Sequence, residues 1–251
     1  MIYITGDTHS EFERLGKKHC PAGDGDYVIV CGDFGGVWDG SEQERYWRKW
    51  LSEKPFTTLF LDGNHENFNL LNAYPVTEWK GGKVHRIAPN ILHLMRGQVF
   101  EIDGVRFFTM GGASSHDIAG GILDPDAPDF AAARKRLNKS RIPYRINGVT
   151  WWSEELPSEE ELAEGLANLA RYGNKVDCVL THCAPGSLQE QCGSGLYRPD
   201  RLTDYLEAVK DRCEFALWCF AHYHYEKRFD GRFVLLYESI LPLTDLLPAP
   251  Q

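Results

Sequence analysis

One device recurs along most of this chain: a short apolar or β-branched run bounded by Gly, Asp or Asn, in most cases followed closely by a side chain able to ligate metal. Seven such runs, Ile2 to Thr5, Tyr27 to Cys31, Thr57 to Leu61, Val105 to Met110, Val176 to Thr181, Phe215 to Phe220 and Arg232 to Tyr237, predict strands. Helical signals alternate with them. Ser41 with Glu44 makes a capping-box pattern ahead of Tyr46, Trp47, Trp50 and Leu51; Ser158 with Glu161 repeats it ahead of Leu162, Leu166, Leu169 and Ala170, with Gly173 placed to end the helix. A third helix is predicted over Leu202, Tyr205, Leu206 and Val209. The alternation predicts an α/β chain, and open α/β sheets gather their chemistry beyond the carboxyl ends of their strands. Tyr46, Trp47 and Trp50, at helical spacing, are expected in the core.

The strand ends carry Asp7 and His9, Asp33, Asn64 and His65, His182, then His222 and His224. Oxygen and imidazole donors suit divalent ions such as Mn, Fe, Zn or Ni. Asp7 and His9 converge on one ion if the turn after their strand is tight; an Asp after Gly is otherwise a turn or cap residue. Asp33 has two oxygens and can bridge two ions. The Asn64 amide oxygen is a poor ligand alone but acceptable in a charge-rich site, with His65 close by; the alternative is an Asx turn with a surface histidine. His182 by itself reads as a structural histidine and gains weight only in company. Ala221-His222-Tyr223-His224 directs two imidazoles, two residues apart, onto neighbouring ions.

With 251 residues, 43% of them hydrophobic and seven Trp, the chain can bury a sizeable core as one domain over 1–251. It opens MIYITGD, with no charged leader region or cleavage-site pattern, and no apolar stretch approaches the ~20 residues of a membrane span, so the expectation is cytoplasmic and without membrane. Seven Cys without a CxxC pair fit a reduced compartment, Cys31, Cys178 and Cys219 being small hydrophobes in apolar runs. Cys192 has no paired base and is not read as a nucleophile. A net charge of −9 disfavours coating nucleic acid through the overall field while leaving room for a local basic patch.

Residues 111–157 form the irregular stretch, expected as an insertion on the substrate side. Its Gly111-Gly112-Ala113-Ser114-Ser115-His116-Asp117 opening either overhangs the strand-end crevice, making His116 a substrate residue, or is a plain turn. Arg134, Lys135, Arg136, Lys139, Arg141 and Arg145, with Tyr144, Trp151 and Trp152 nearby, suit phosphates and bases; Arg141 and Arg145 are the substrate-binding candidates. The simpler reading is a solvated helix face whose cations pair with Glu154, Glu155, Glu159, Glu160 and Glu161. His19, His85 and His93 join no constellation and are assigned surface or structural roles.

In order and spacing, DxH at residue 7, GD at 33, GNH followed by Glu at 64, a lone His182 and an AHxH ending at 224 resemble the calcineurin-like metallophosphoesterase superfamily. The resemblance implies a four-layer αββα sandwich and two divalent metal ions. It implies Asp7, His9 and His224 on one ion, Asn64, His182 and His222 on the other, and Asp33 bridging. It also implies that His65 stays off the metals, stabilising the transition state or protonating the leaving group. Ala221 stands where the family has glycine before HxH, and a modest backbone adjustment is expected. The GDxxDRG box and the arginine before GNHE that mark the protein Ser/Thr phosphatase branch are missing. That leaves the partner orienting His65 open among Asp62, Glu66 and Asp39.

Two cations ~3.5–4 Å apart clamp phosphoryl oxygens and produce hydroxide near neutral pH, so the expected reaction is hydrolysis of a phosphomonoester or phosphodiester. The expected substrate is a small phosphorylated molecule such as a nucleotide. Two alternatives are a non-catalytic interaction scaffold on the same fold and a nuclease that uses the basic insertion.

Overall fold

The computed structural model describes residues 1–193 and 195–248. Their strands are β1 (Ile2–Thr5), β2 (Tyr27–Val30), β3 (Thr57–Phe60), β4 (Val76–Trp79), β5 (Gly82–Ala88), β6 (Ile91–Leu94), β7 (Gln98–Ile102), β8 (Val105–Met110), β9 (Ile122–Leu123), β10 (Arg145–Ile146), β11 (Cys178–Thr181), β12 (Leu217–Phe220), β13 (Lys227–Phe229), β14 (Phe233–Leu235) and β15 (Leu241–Pro242). The helices are α1 (Glu42–Ser52), α2 (Phe68–Leu71), α3 (Phe130–Ser140), α4 (Glu159–Arg171), α5 (Gly186–Gly193), α6 (Arg201–Arg212) and α7 (Leu243–Leu246). One sheet runs β15-β1-β2-β3-β6-β5-β4 and the other β13-β14-β12-β11-β8-β7.

Strand alternation builds the layers. Ile2, Ile4 and Ile29 of the first sheet meet Cys178, Leu180, Leu217 and Cys219 of the second in the inter-sheet core. The opposite faces, period two along each strand, pack outward. Tyr3, Val28, Val30 and Phe60 lie under Phe12, Leu15 and Leu51, whereas Val179, Trp218 and Phe220 lie under Leu162, Leu169, Leu202, Leu206 and Val209 of α4 and α6. Three apolar layers between four layers of structure make the expected αββα sandwich. Ala221 is fully buried, and its methyl joins the inter-sheet core, so the residue that replaces glycine is accommodated by packing.

The parallel pairs β1-β2-β3 in one sheet and β8-β11-β12 in the other bring the ends of six ligand-bearing or loop-bearing strands to one edge of the sandwich. The seven predicted strands are all present, shorter by one or two residues at some ends. The chain between residues 76 and 102 also folds into β4 to β7, which the apolar-run criterion misses. Val76–Trp79 alternates exposed and half-buried positions, and β5 carries Lys83, His85 and Arg86, so neither reads as a continuous apolar run.

Of the two capping patterns, Ser158 forms the full reciprocal box with Glu161. Ser41 accepts from Glu44 N–H, but the Glu44 carboxylate turns away to accept from the N–H groups of Trp38, Asp39 and Gly40. Trp47 and Trp50 pack on the outer core while Tyr46, expected inside, is 60% exposed. No helix among the described residues is long and apolar enough to cross a membrane.

Candidate metal centre

Tight turns after β1, β2 and β12 aim the candidate ligands back into the cleft. His9, Asp33, His222 and His224 all adopt positive φ, between 44° and 73°, a left-handed conformation that costs non-glycine residues about 1–3 kcal/mol each. The preceding Gly32 and Gly63 have no room for a side chain. A Cβ at Gly32 would lie 2.1 Å from His182 Nδ1, and one at Gly63 would lie 2.0 Å from Asp33 Oδ1. The GD and GN dipeptides are therefore steric requirements of the site.

Two groups of donors share Asp33. Asp7, His9, Asp33 and His224 each offer one atom, all within 4.8 Å of one another. His9 Nε2 and His224 Nε2 face each other at 3.1 Å, with Asp7 Oδ2 2.9 Å from His224 Nε2 and 3.5 Å from His9 Nε2. Asp33 turns Oδ2 toward His9 Nε2 (3.7 Å) and Oδ1 toward His182 Nε2 (3.4 Å), so its two oxygens serve opposite sides. On the second side, Asn64 Oδ1 lies 3.3 Å from His182 Nε2, and the His222 ring sits 5.0 Å from the His182 ring, centroid to centroid. The His222 backbone N–H donates to Asp7 Oδ1 and stitches the two halves together.

The donor set fits divalent cations on two counts. Asp7 Oδ2 and Asp33 Oδ2 are buried without a hydrogen-bond partner among the described residues, a costly arrangement for carboxylate oxygens unless a cation supplies the contact. The local charge is strongly negative as well. Burial opposes ionisation of Asp7, but the nearby His224, His9 and His182 imidazoles hold it well below the usual carboxylate range. Burial likewise opposes charge on His182, yet Asp33 and then Asp7 draw it up to about 9. A site that binds a proton this firmly has the charge to hold a metal ion, which would displace that proton. His222 is pushed down to about 3 by burial and by His182, which keeps it a neutral imidazole.

Neighbouring groups set the orientation of these side chains. His182 Nδ1 lies 2.8 Å from the Cys31 carbonyl, leaving Nε2 for the cleft. Asn64 Nδ2 donates to Ser115 Oγ at 3.3 Å, and Ser115 Oγ donates to Glu155 Oε2 at 2.6 Å. Ser115 N–H also donates to Glu155 Oε1. A hydroxyl has one proton, and with it committed to Glu155 the oxygen accepts from the Asn64 amide nitrogen, so the amide oxygen faces His182. Burial pushes the Glu155 carboxyl up, and the two donors from Ser115 oppose that. Ser115 lies in the glycine-rich opening of the insertion. Glu155, which belongs to a run that reads as solvated, is 5% exposed, and no spacing rule marks it in the sequence.

His65 lies beside the first group, its ring 5.3 Å from that of His9. None of the three carboxylates considered as its partner touches the ring. Asp62 is taken by His93 Nε2 (3.0 Å) and by the Arg96 fork (2.8 and 2.5 Å), Glu66 accepts from Phe34 N–H, and Asp39 accepts from Ser41 N–H. Arg145 reaches His65 instead. Its NH2 group is 3.0 Å from His65 Nε2, and Asp117 grips the same guanidinium at 2.9 and 2.6 Å. The insertion thus delivers an arginine where the GD and GNHE motifs lack one. An arginine donor makes Nε2 an acceptor. Burial, with Arg145 and His9, holds His65 below its ordinary value although Asp33 opposes them.

The other substrate candidates separate. His116 reaches the cleft, 5.6 Å from the His222 ring between centroids. Arg141 ends α3 in a left-handed conformation, exposed, and takes no part in the hydrogen bonds or ion pairs of the site. The expected pairing of the basic stretch with the acidic run does not form. Glu161 caps α4 and pairs with Arg96, Glu155 holds Ser115, and Glu154 accepts from Ser153. Arg134, Lys135, Arg136, Lys139 and Arg141 are exposed and make no ion pair among the described residues. Leu137 is the one buried residue of α3, too little apolar surface for its cations to be a mere outer face of a packed helix. His85 and His93 are buried, with Nδ1 atoms 2.9 Å apart, and His93 passes the chain on to Asp62.

The calcineurin-like phosphoesterase family model matches residues 1–226. The chain is also similar to lariat debranching enzymes. It is 28% identical to that of Mus musculus over 249 residues, covering 89% of this chain and 41% of that protein. Identity to the Drosophila melanogaster enzyme is 26% over 249 residues, covering 89% and 42%. For the Homo sapiens enzyme it is 29% over 137 residues, covering 46% and 24%. The chain spans about two-fifths of the length of the mouse and fly relatives.

Proposed function

Because the chain belongs to the calcineurin-like phosphoesterase family and is a metal-dependent hydrolase, we propose that it cleaves a phosphodiester using two divalent ions held at the ends of β1, β2, β3, β11 and β12. Asp7, His9 and His224 would hold one ion and Asn64, His182 and His222 the other, with Asp33 shared between them. The observation that carries this reading is the pair of orphaned carboxylate oxygens, Asp7 Oδ2 and Asp33 Oδ2, set among imidazole nitrogens. Bound ions, Mn, Fe, Zn or Ni by donor type, supply charge neutralisation and an activated water. The chain is read as one metallophosphoesterase domain with 111–157 as its substrate-side insertion.

Positioning falls to the protein. Asp33 Oδ1 accepts from the His65 backbone N–H at 2.8 Å and ties this histidine to the ligand shell. Arg145, held in a planar fork by Asp117, offers a fixed positive charge to a phosphoryl oxygen. When the guanidinium turns to phosphate it releases His65 Nε2, which takes up a proton from solvent beside the incoming phosphate charge and then hands that proton to the leaving oxygen. His116 lines the other side of the cleft. The intact candidate ligand set favours this reading over a non-catalytic scaffold.

A nucleic acid, RNA in particular, is the substrate class that two observations favour over a small phosphoester. The relatives are lariat debranching enzymes, and α3 with its C-cap Arg141 presents five cations without an ion pair among the described residues, on the insertion that also delivers Arg145. Metal analysis of purified protein, followed by hydrolysis of bis-p-nitrophenyl phosphate and p-nitrophenyl phosphate with each candidate ion, tests the reaction. If no ion supports cleavage of either ester, the proposal is lost. Salt dependence tests the substrate class, since α3 contacts with phosphates predict steeply weaker RNA binding as salt rises. Absence of RNA binding at low salt removes the nucleic-acid reading and leaves the small diester.

A further inference from the structure

A cavity of about 440 Å³ opens beside His222, between the 113–119 loop and residues 196–200, and no step above uses it. Its aromatic wall is built from His116 and Tyr197. The Tyr197 ring lies 4.9 Å from that of His116 and 5.4 Å from that of His222, and it packs edge-on against Tyr223 at 4.8 Å. Tyr197 is firmly seated, for a Cβ on Gly193 would lie 2.1 Å from its ring. Ile118, Ala119 and Pro199 add small apolar surface.

The two sides of the cavity are tied together. Ser114 Oγ donates to Asp200 Oδ2, while Asp200 Oδ1 accepts from the Leu202 and Thr203 N–H groups at the start of α6. Asp200 is therefore already engaged. The cavity has no free carboxylate among its described residues, and its remaining charged side chain, Arg198, sits exposed at the rim without an ion pair among the described residues. Apolar and aromatic walls with polar edges suit a flat heteroaromatic ring, and a cation at the rim tolerates the phosphate attached to it. A bare second phosphate would find no buried cation here.

We propose that this cavity is a nucleobase subsite in which the wall formed by Tyr197 and His116 takes the base of a nucleotide whose phosphate lies at the metal centre. The inference rests on the phosphodiester reading above and narrows it to nucleoside esters. Thymidine 5′-(p-nitrophenyl phosphate) and methyl p-nitrophenyl phosphate share a leaving group and differ in the base. The parent prefers the thymidine ester in kcat/KM, and Tyr197→Ala reduces that preference by about 5- to 140-fold, the range for loss of one base–aromatic stack, chiefly through KM. Tyr197→Phe keeps the ring and the preference. Ala119→Trp, a change at an exposed position, fills the cavity from the opposite wall and produces the same loss without disturbing the Tyr197 packing. A ratio between the two esters that stays constant across these variants overturns the subsite.

If the parent cleaves neither ester, the phosphoesterase reading fails, and calorimetric titration with AMP and ribose 5-phosphate decides the subsite separately. Tighter binding of AMP that is lost in Tyr197→Ala and Ala119→Trp upholds it, whereas equal binding of the two ligands refutes it.

Discussion

Replacing Ser115 with alanine removes a single hydroxyl, yet two functions depend on it. Glu155 loses a 2.6 Å donor in a buried setting, and Asn64 loses the acceptor that keeps its amide oxygen facing His182. An unsatisfied buried polar partner costs about 1–3 kcal/mol, so metal-free Ser115→Ala is expected to unfold with about that loss of stability. The effect on the centre is separate. Loss of a residue that orients a ligand typically weakens metal affinity about 10- to 100-fold, equivalent to about 1.4–2.7 kcal/mol. The deficit is expected on the side of Asn64, His182 and His222, because the Ser115 hydrogen bonds run to Asn64 and Glu155 and none reaches Asp7, His9 or His224 among the described residues. Stepwise metal titration by calorimetry, with Mn(II) paramagnetic resonance to distinguish coupled pairs from single ions, reads this directly. Ser115→Thr preserves the hydroxyl and restores pairing. If Ser115→Ala binds both ions as tightly as the parent, the Glu155–Ser115–Asn64 chain does not position the ligand and the reasoning is wrong.

Other perturbations probe neighbouring links. His65→Ala is expected to retain both ions while turnover falls about 10²–10⁴-fold, the usual contribution of a general acid; equal rates for metal-replete parent and variant would falsify the role. Arg145→Ala should lower kcat/KM for diesters about tenfold or more, and Asp117→Asn by a smaller factor because the guanidinium remains but is less firmly held. Steady-state kinetics in which Asp117→Asn proves the worse of the two would contradict that ranking. The His85 imidazole, 4% exposed, is pushed down to about 4 by burial and by His93. Since its ordinary value is about 6.5, the unfolded chain takes up this proton first, and the stability present above pH 6.5 is lost as pH falls toward 4, by up to about 3 kcal/mol. Denaturant titrations across that window should show a shallower loss in His85→Leu than in the parent, and parallel curves would refute the assignment.

Much of the framework is legible in the sequence because it depends on local signals. The strand-end residues Asp7, Asp33, Asn64, His182 and His222 are visible as polar groups closing apolar runs, and a parallel sheet brings such ends together whatever the intervening loops do. Strands β4 to β7 escape notice for the converse reason. In β4 and β5 the exposed Val76, Glu78 and Lys83 sit between partly or fully buried neighbours, and in β6 and β7 the polar His93 and Glu101 interrupt runs already short, so the apolar-run test has nothing continuous to detect.

The partners of the ligands follow a different logic. Arg145 is 80 residues from His65, and Glu155 is 40 residues from Ser115. Neither pair has a characteristic spacing, since a hydrogen bond between two loops depends on where the sheets carry those loops and not on distance along the chain. The acidic run illustrates the point. As a string it reads as counter-charge for the basic stretch, but the fold buries Glu155 under Ser115 and commits Glu161 to Arg96 and a helix cap, leaving the cations of α3 exposed. By itself the sequence determines which side chains stand at the strand ends, because alternation and turn chemistry act over a few residues. Only the tertiary structure decides which group orients His65, which atom of Asn64 faces the cleft and which charges stay free, because those contacts form between segments that the packing of two sheets brings together.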